Sequence, residues 1–300
     1  VANMNFSDLD AGYLGVRGFH WYGYDRTSAK FLDLTANQPG GVALAHGGVP
    51  GLGLDRVRGR IYGTVTPTGE IVEYTPATGS TVNLGRPAYG RAYVYPGRTL
   101  WVGSTGRVYF TAGNPATGSR AGGPYDPALF NHVRYWDPAS RRFGEERGWQ
   151  LHDTRAIDYA QCFDWPAPRT CFLMDNVGHV YRYSENTGPP PWTFLGDIGQ
   201  KRDELYGLTW VFQVRPNGKR AYIVARRGAF FEFDLITGVA ALRGNLYLLE
   251  PALTGLDFFG NSAWDANGRF YVSAFPKLHT DPGRARLVAI DPWRFIPAIR

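Results

Sequence analysis

Short runs in which every second residue is apolar or aromatic recur along the whole chain. The clearest are Ile71–Tyr74, Val133–Trp136, Val180–Tyr183 and Phe230–Phe233. A period of two residues is typical of β-strands, whose successive side chains point to opposite faces of a sheet. Lys, Glu and Met, which favour helices, are scarce in the sequence. The pattern therefore predicts an all-β protein.

Each alternating run leads into a turn that begins with Asp, Thr or Ser and continues with Pro or with Thr-Gly. These residues close tight turns, because Pro fixes its own φ and Gly accepts a positive φ. The turn phrase recurs at intervals of roughly 50 to 60 residues, the range of long structural repeats. Its copies are Trp21–Ser28, Ile71–Gly79, Val133–Ser140, Val180–Gly188, Phe230–Gly238 and Leu287–Pro292.

A second phrase, Gly-Arg or Gly-Lys-Arg followed by aromatic residues, precedes the first one in most units. Its copies are Gly59–Gly63, Gly106–Phe110, Gly218–Tyr222 and Gly268–Val272. The two phrases together predict a unit of four strands, in which an inner strand is followed by a hairpin and two further strands. A unit of four strands with this period is the sequence pattern of β-propeller blades.

We therefore expect a single domain over residues 1–300, a β-propeller of six four-stranded blades, with seven blades as the alternative. The first blade would need Asn3–Ser7 and Tyr13–Arg17 as its inner strands. On its two phrases the chain resembles the β-propeller superfamily whose blades carry Tyr-Asp-x-x-Thr-Gly turns. That superfamily includes gluconolactonase-like and NHL-type six-bladed propellers and propeller-fold polysaccharide lyases. The resemblance implies a blade structure and leaves the activity open.

Composition and charge narrow the choice of partners. Gly (38) and Pro (21) are spread evenly, as expected for many turns rather than one disordered linker. The net charge of +6 is carried largely by arginines that are scattered singly along the chain. Nucleic-acid binding is disfavoured because it requires clustered basic residues. A protein partner in a larger assembly or an acidic glycan remains, and no segment is apolar for the length of a membrane span.

Two cysteines, Cys162 and Cys171, enclose a segment centred on Trp-Pro-Ala-Pro. This spacing fits a hairpin whose ends are joined by a disulfide, and it does not match zinc or redox motifs. Two buried free thiols are the alternative. A disulfide predicts a secreted or periplasmic protein, and the start at Val1 is what a processed mature form would show.

Propellers place their binding sites at the mouth of the central channel, where the inner strands begin. Residues near those positions are therefore the candidates for chemistry. The catalytic candidates are His46, Tyr206, Arg91 and Arg155, and the ligand-binding candidates are Asp158 and Asn261. A histidine, a tyrosine and an arginine form the set that β-elimination of a uronic acid requires: a base, an acid and a cation for the enolate-like intermediate. Packing roles for the same residues are the alternative.

Three functions follow from these positions. The first is a binding or scaffold subunit, for which the inserts Asn114–Asn131 and Gly188–Arg202 and the terminal segment Trp293–Pro297 are suited. The second is a carbohydrate-active enzyme, a lyase acting on a uronate-containing glycan. The third is a lactonase-like hydrolase with a divalent metal, for which Asn261–Asp265 and Met174–Asn176 offer oxygens. The cofactor is unknown, with a structural divalent cation such as Ca²⁺ as the candidate.

Overall fold

The computed structural model describes residues 22–25, 27–28, 30–33, 48–55, 57–66, 69–87, 100–111, 132–150, 157–163, 170–175, 178–184, 192–199, 209–225, 227–276 and 286–295. The chain divides into two compact units, Val1–Ile157 and Asp158–Arg300. The described residues are almost entirely strands, so the all-β prediction is confirmed. Among them, no helix has the length and apolar character needed to cross a bilayer.

The first unit contains one hairpin and two four-stranded antiparallel sheets. The hairpin pairs β1 (Tyr22–Asp25) with β2 (Lys30–Asp33). One sheet consists of β3 (Gly48–Asp55), β4 (Arg60–Thr66), β5 (Ile71–Thr75) and β6 (Ser80–Gly85). The other consists of β7 (Trp101–Val102), β8 (Val108–Thr111), β9 (His132–Asp137) and β10 (Arg142–Gln150).

The second unit contains two four-stranded sheets and one three-stranded sheet. The first sheet consists of β11 (Ile157–Phe163), β12 (Thr170–Asp175), β13 (Val180–Ser184) and β14 (Trp192–Gly196). The second consists of β15 (Thr209–Val214), β16 (Arg220–Ala225), β17 (Ala229–Asp234) and β18 (Ala240–Asn245). A short helix α1 (Leu246–Leu249) and a 3₁₀ turn (Pro251–Leu253) lead into β19 (Leu256–Trp264), β20 (Phe270–Pro276) and β21 (Arg286–Ile290), and a 3₁₀ helix (Pro292–Phe295) follows.

In every sheet of three or four strands, neighbours in space are neighbours in sequence. Such a meander is the structure of a propeller blade, and the fold is an all-β propeller. The Gly-Arg phrase opens the second strands β4, β8, β16 and β20. The aromatic phrase forms the third strands β5, β9, β13, β17 and β21. The strand order predicted from the two phrases is therefore confirmed.

Among the described residues five blades are found, not the six or seven that were predicted. In the described part of the chain four of these sheets have four strands and the last has three. The count of six relied on the phrase Trp21–Ser28, whose described residues form only the β1–β2 hairpin. A turn phrase is local and marks one hairpin, whereas a blade also needs two inner strands. The segments Asn3–Ser7 and Tyr13–Arg17, expected to supply them, lie outside the described residues.

The alternating residues of the strands form the cores. In the first unit one cluster joins the two four-stranded sheets, through Tyr62, Ile71, Leu100, Val102, Val108, Phe110 and Trp136. In the second unit aromatic side chains of neighbouring sheets stack, with Tyr222 of β16, Phe230 of β17 and Phe270 of β20 in mutual contact. The aromatic residues of the repeat are thus core residues, which bury large apolar area and hold adjacent blades together.

Candidate functional site

The predicted catalytic residues His46, Arg91, Arg155 and Tyr206 lie outside the described residues. Their meeting in one cleft therefore stays a prediction. Asp158 lies on β11 and Asn261 lies on β19, each within the first strand of its sheet. Asp158 is the second residue of β11, whereas Asn261 is the sixth residue of β19 rather than at its start, and their ligand-binding role stays a prediction.

The predicted disulfide is present and joins Cys162 of β11 to Cys171 of β12. The two Cα atoms are 4.0 Å apart, and β11 and β12 are neighbours in one sheet. Cys171 is fully buried, and no described cysteine is free. The bridge therefore fixes the first hairpin of the second unit, and the alternative of two free thiols is wrong.

An Asp–His pair occupies the turn between β12 and β13. Nδ1 of His179 lies 2.7 Å from Oδ2 of Asp175, and the backbone N–H of His179 donates to Oδ1 of the same carboxylate. The Asp175 side chain is 1% exposed and that of His179 is 12% exposed. Phe194 of β14 packs edge-on against the imidazole ring.

This geometry orients the imidazole. When His179 is neutral, the carboxylate of Asp175 favours the tautomer with its proton on Nδ1, so that Nε2 is the basic nitrogen. A carboxylate that orients a histidine in this way is the arrangement found in general-base sites. The pair was not predicted from sequence, where Asp175 was expected only to offer an oxygen to a metal. The spacing Asp-x-x-x-His around a turn glycine was the available signal.

Side chains join the first strands of the second unit. The backbone N–H of Val214 on β15 donates to Oε1 of Gln161 on β11 at 2.8 Å. From the other side, Nε1 of Trp264 on β19 donates to the Val214 carbonyl oxygen at 2.7 Å. Gln161 also donates to the carbonyl of Phe212 and exchanges hydrogen bonds with the amide of Gln213. Strand backbone that lacks a neighbouring strand is thus satisfied by amide and indole groups.

A second polar cluster repeats in two blades. In the second unit Oε1 of the buried Glu232 accepts from Nη1 of Arg220 at 3.1 Å and from Nη2 of Arg243 at 2.8 Å. Tyr222 lies opposite Glu232 on the neighbouring strand β16. Burial raises the pKa of the Tyr222 phenol, and the nearby Glu232 carboxylate raises this pKa further. The first unit repeats the arrangement with Arg60, Tyr62 and Glu73. A cluster that recurs in separate blades supports the blade rather than one site.

A carboxylate that the sequence offered for a metal, that of Asp265, already accepts hydrogen bonds from nearby side chains. Oδ2 of Asp265 accepts from Nε of Arg269 at 3.0 Å and from the Tyr271 hydroxyl at 3.2 Å. Desolvation raises the pKa of Asp265, but hydrogen bonds from the backbone N–H groups of Arg269 and Asn267 outweigh it and lower the pKa overall. In the described ranges no group of three or more His, Cys, Asp or Glu side chains has the geometry to hold a metal ion.

The connection between β18 and β19 exposes two leucines. Leu248 on α1 is 83% exposed and Leu249 is 60% exposed. The segment is fixed on both sides of them, because Asn245 accepts from the backbone N–H of Tyr247 and donates to the Arg227 carbonyl. The Tyr247 hydroxyl donates to the carbonyl of Leu256 at 2.6 Å, and Leu246 and Leu253 are buried in the core. Two apolar side chains are thus held in solvent by a rigid support.

Comparison with known proteins gives similarity in structure alone. No protein-family model matches the chain. No curated protein matches it in sequence. Among solved structures, a chain in the crystal structure of a nidogen/laminin complex matches with a TM-score of 0.54 and 10% identity, covering 89% of this chain and 92% of that one.

Two other solved structures match with lower scores. The calcium-binding protein regucalcin from Agrobacterium tumefaciens has a TM-score of 0.46 and 13% identity, with 75% of this chain and 66% of that chain covered. A protein of unknown function from Bacteroides thetaiotaomicron has a TM-score of 0.48 and 13% identity, with 90% and 69% covered. At these identities what is shared is the fold.

Proposed function

We propose that this protein is an extracytoplasmic binding subunit, a β-propeller that holds a protein partner. The proposal is carried by the exposed pair Leu248 and Leu249 on their fixed support. Fixed surfaces bind more tightly than flexible ones because little conformational entropy remains to be lost. The fold that this chain shares with a chain of the nidogen/laminin complex occurs there in an assembly of proteins.

The exposure of the two leucines sets the binding free energy that a partner can gain by covering them. Burying a whole leucine side chain contributes about 1.5 to 3 kcal/mol, and the two together expose somewhat more than one side chain. A partner that covers them gains about 2 to 4 kcal/mol, and each 1.4 kcal/mol corresponds to a tenfold change in Kd. This is enough to make the pair a hot spot of an interface.

The disulfide between Cys162 and Cys171 supports an oxidising compartment, secreted or periplasmic, as the place of this function. One domain over residues 1–300 is part of the same proposal. The lyase and lactonase hypotheses depend on His46, Tyr206, Arg91 and Arg155 and on the ligand positions Asp158 and Asn261, and they stay predictions. Release of unsaturated uronate, seen as absorbance near 235 nm, tests the lyase hypothesis.

The test of the binding function compares three proteins. The tagged wild type, the variant Leu248→Ser/Leu249→Ser and the control Val57→Ser are expressed in an oxidising compartment and isolated with their bound proteins. Val57 is as exposed as Leu248 but lies in the turn between β3 and β4, in the first unit. We expect one partner to be retained by the wild type and the control and lost by the leucine variant. Equal recovery with all three proteins, or no partner with any of them, contradicts the proposal.

A further inference from the structure

Two turns of the β15–β18 sheet contact each other, and one of them also contacts the segment that follows β21. The turn between β15 and β16 contains Arg215 and Lys219, and the Lys219 carbonyl accepts from the backbone N–H of Leu235 in the turn between β17 and β18. The neighbouring Ile236 is exposed. Arg215 also contacts Trp293 of the 3₁₀ helix that follows β21. We call Arg215, Lys219, Ile236, Trp293 and Arg294 the basic turn surface.

Trp293 is its central side chain. The guanidinium carbon of Arg215 lies 4.2 Å from the centre of the Trp293 ring, which orients both groups. The indole is nevertheless 49% exposed. Tryptophan and arginine are both among the residue types enriched in the hot spots of protein interfaces.

Basic side chains outnumber carboxylates on the basic turn surface. The carboxylates of the neighbouring turns are bound by their own donors: Asp234 by the backbone N–H groups of Ile236 and Thr237, and Asp291 by that of Trp293. Among the described residues, neither Arg215 nor Lys219 forms an ion pair with a carboxylate. Arg294 is 84% exposed, with Nε 3.9 Å from Asp291, a distance at which an ion pair contributes little. The surface thus carries three basic side chains, Arg215, Lys219 and Arg294, against the two nearby carboxylates of Asp234 and Asp291.

We infer that the basic turn surface binds an acidic segment of a protein partner. The inference rests on the proposed binding function and adds a second contact and its chemistry. Carboxylates of the segment pair with Arg215, Lys219 and Arg294, and its apolar side chains pack on Trp293 and Ile236. The exposed apolar side chains of Ile236 and Trp293 favour a peptide over a glycan, since a peptide supplies both carboxylates and apolar side chains. The net charge of +6 also attracts an acidic partner at long range.

The test uses a fluorescein-labelled peptide of alternating glutamate and leucine as the probe, with binding measured by fluorescence anisotropy at low and physiological salt. We expect Arg215→Ala/Lys219→Ala to weaken binding at least tenfold and Trp293→Ala or Arg294→Ala at least threefold. The matched control is Arg142→Ala/Arg182→Ala, which removes the same charge from exposed residues elsewhere and should change binding less than twofold. Because Arg294 is almost fully exposed, its variant keeps the test valid if Trp293→Ala fails to fold.

Three outcomes overturn the inference. Equal weakening in the two double variants shows attraction by net charge alone. Tighter binding of oligogalacturonate than of the peptide, through the same residues, assigns the surface to an acidic glycan. Absence of binding at millimolar peptide removes the site. None of these outcomes depends on the result with Leu248→Ser/Leu249→Ser. The peptide site can therefore be disproved while the proposed binding function stands, and the reverse.

Discussion

Gly196 and Gly238 touch through their backbones. A Cβ atom added to Gly238 would overlap the carbonyl oxygen of Leu195, and one added to Gly196 would overlap the carbonyl of Gly238. Gly196 ends β14 and Gly238 lies in the turn between β17 and β18, so the contact joins successive sheets of the second unit. Both glycines have positive φ, at 156° and 74°. Glycine is required here both by conformation and by space.

The Gly238 contact predicts a large difference between two alanine substitutions. Gly59 also has a positive φ, 62°, but an added Cβ there would meet no atom within 4 Å. We expect Gly59→Ala to cost about 1 kcal/mol from strain alone. Gly238→Ala adds the backbone overlap and should cost about 3 kcal/mol or more. Urea unfolding of the two variants measures this difference, and equal losses would show that the two sheets do not approach closely.

Arg141 predicts a stabilising substitution. Arg141 lies in the turn after β9, at the position that Gly79 occupies after β5 and Gly238 occupies after β17. Among the described residues, Arg141 is the non-glycine residue with a positive φ, 55°. Relief of the strain outweighs the added chain entropy of glycine, so Arg141→Gly should gain about 0.5 to 1 kcal/mol. Arg142→Gly, within β10, should instead lose about the same amount. A shift of both unfolding midpoints in one direction would refute this account of the turn.

Replacing Gln161, which links the first strands β11 and β15, should reduce the stability of the protein. Gln161→Leu removes the acceptor of the Val214 N–H and the donor to Phe212, and leaves both buried backbone groups without these partners. We expect a loss of about 2 to 3 kcal/mol in the free energy of unfolding. Arg182→Leu, an exposed change on β13, should stay within about 0.5 kcal/mol of the wild type. A Gln161 variant as stable as the control would mean that the link does not contribute.

The turn carboxylate of Asp234 predicts the behaviour in acid. Hydrogen bonds from the backbone N–H groups of Thr237 and Ile236 lower its pKa below the ordinary value of 3.8. A carboxyl whose pKa is lower in the folded protein stabilises it above pH 3.8, and this contribution is lost as the pH falls through the lowered pKa. Asp234→Asn should therefore reduce the dependence of the urea midpoint on pH between about 5 and 2.5. Identical pH profiles for the two proteins would contradict the shift.

Much of the blade could be predicted from sequence because its signals are local. The turns after β5, β9 and β17 are built from Thr75, Asp137 and Asp234, whose oxygens accept backbone N–H groups within the next few residues. Alternation of apolar residues identified the strands, although β8, β12, β16 and β17 are buried on both faces along almost their whole length. The disulfide was predictable for the same reason, since nine positions separate its cysteines along one hairpin.

The features that sequence missed depend on distant residues. Leucine is typical of protein cores, so the sequence alone suggests that Leu248 and Leu249 are buried. Their exposure follows from the side chains of Asn245 and Tyr247, which hydrogen-bond to the backbone of other segments. The number of blades depends on which inner strands pair with the β1–β2 hairpin, and a turn phrase carries no information on this. The Asp175–His179 pair required the knowledge that the turn brings the two side chains together.

Calorimetry measures whether the exposed leucines of α1 hold a protein partner. The partner recovered with the wild type is titrated into the wild type, Leu248→Ser/Leu249→Ser and Val57→Ser. We expect the leucine variant to bind at least tenfold more weakly, a loss of about 1.4 kcal/mol, and Val57→Ser to bind with an unchanged Kd. A leucine variant that binds the partner as tightly as the wild type would show that these side chains do not form the interface.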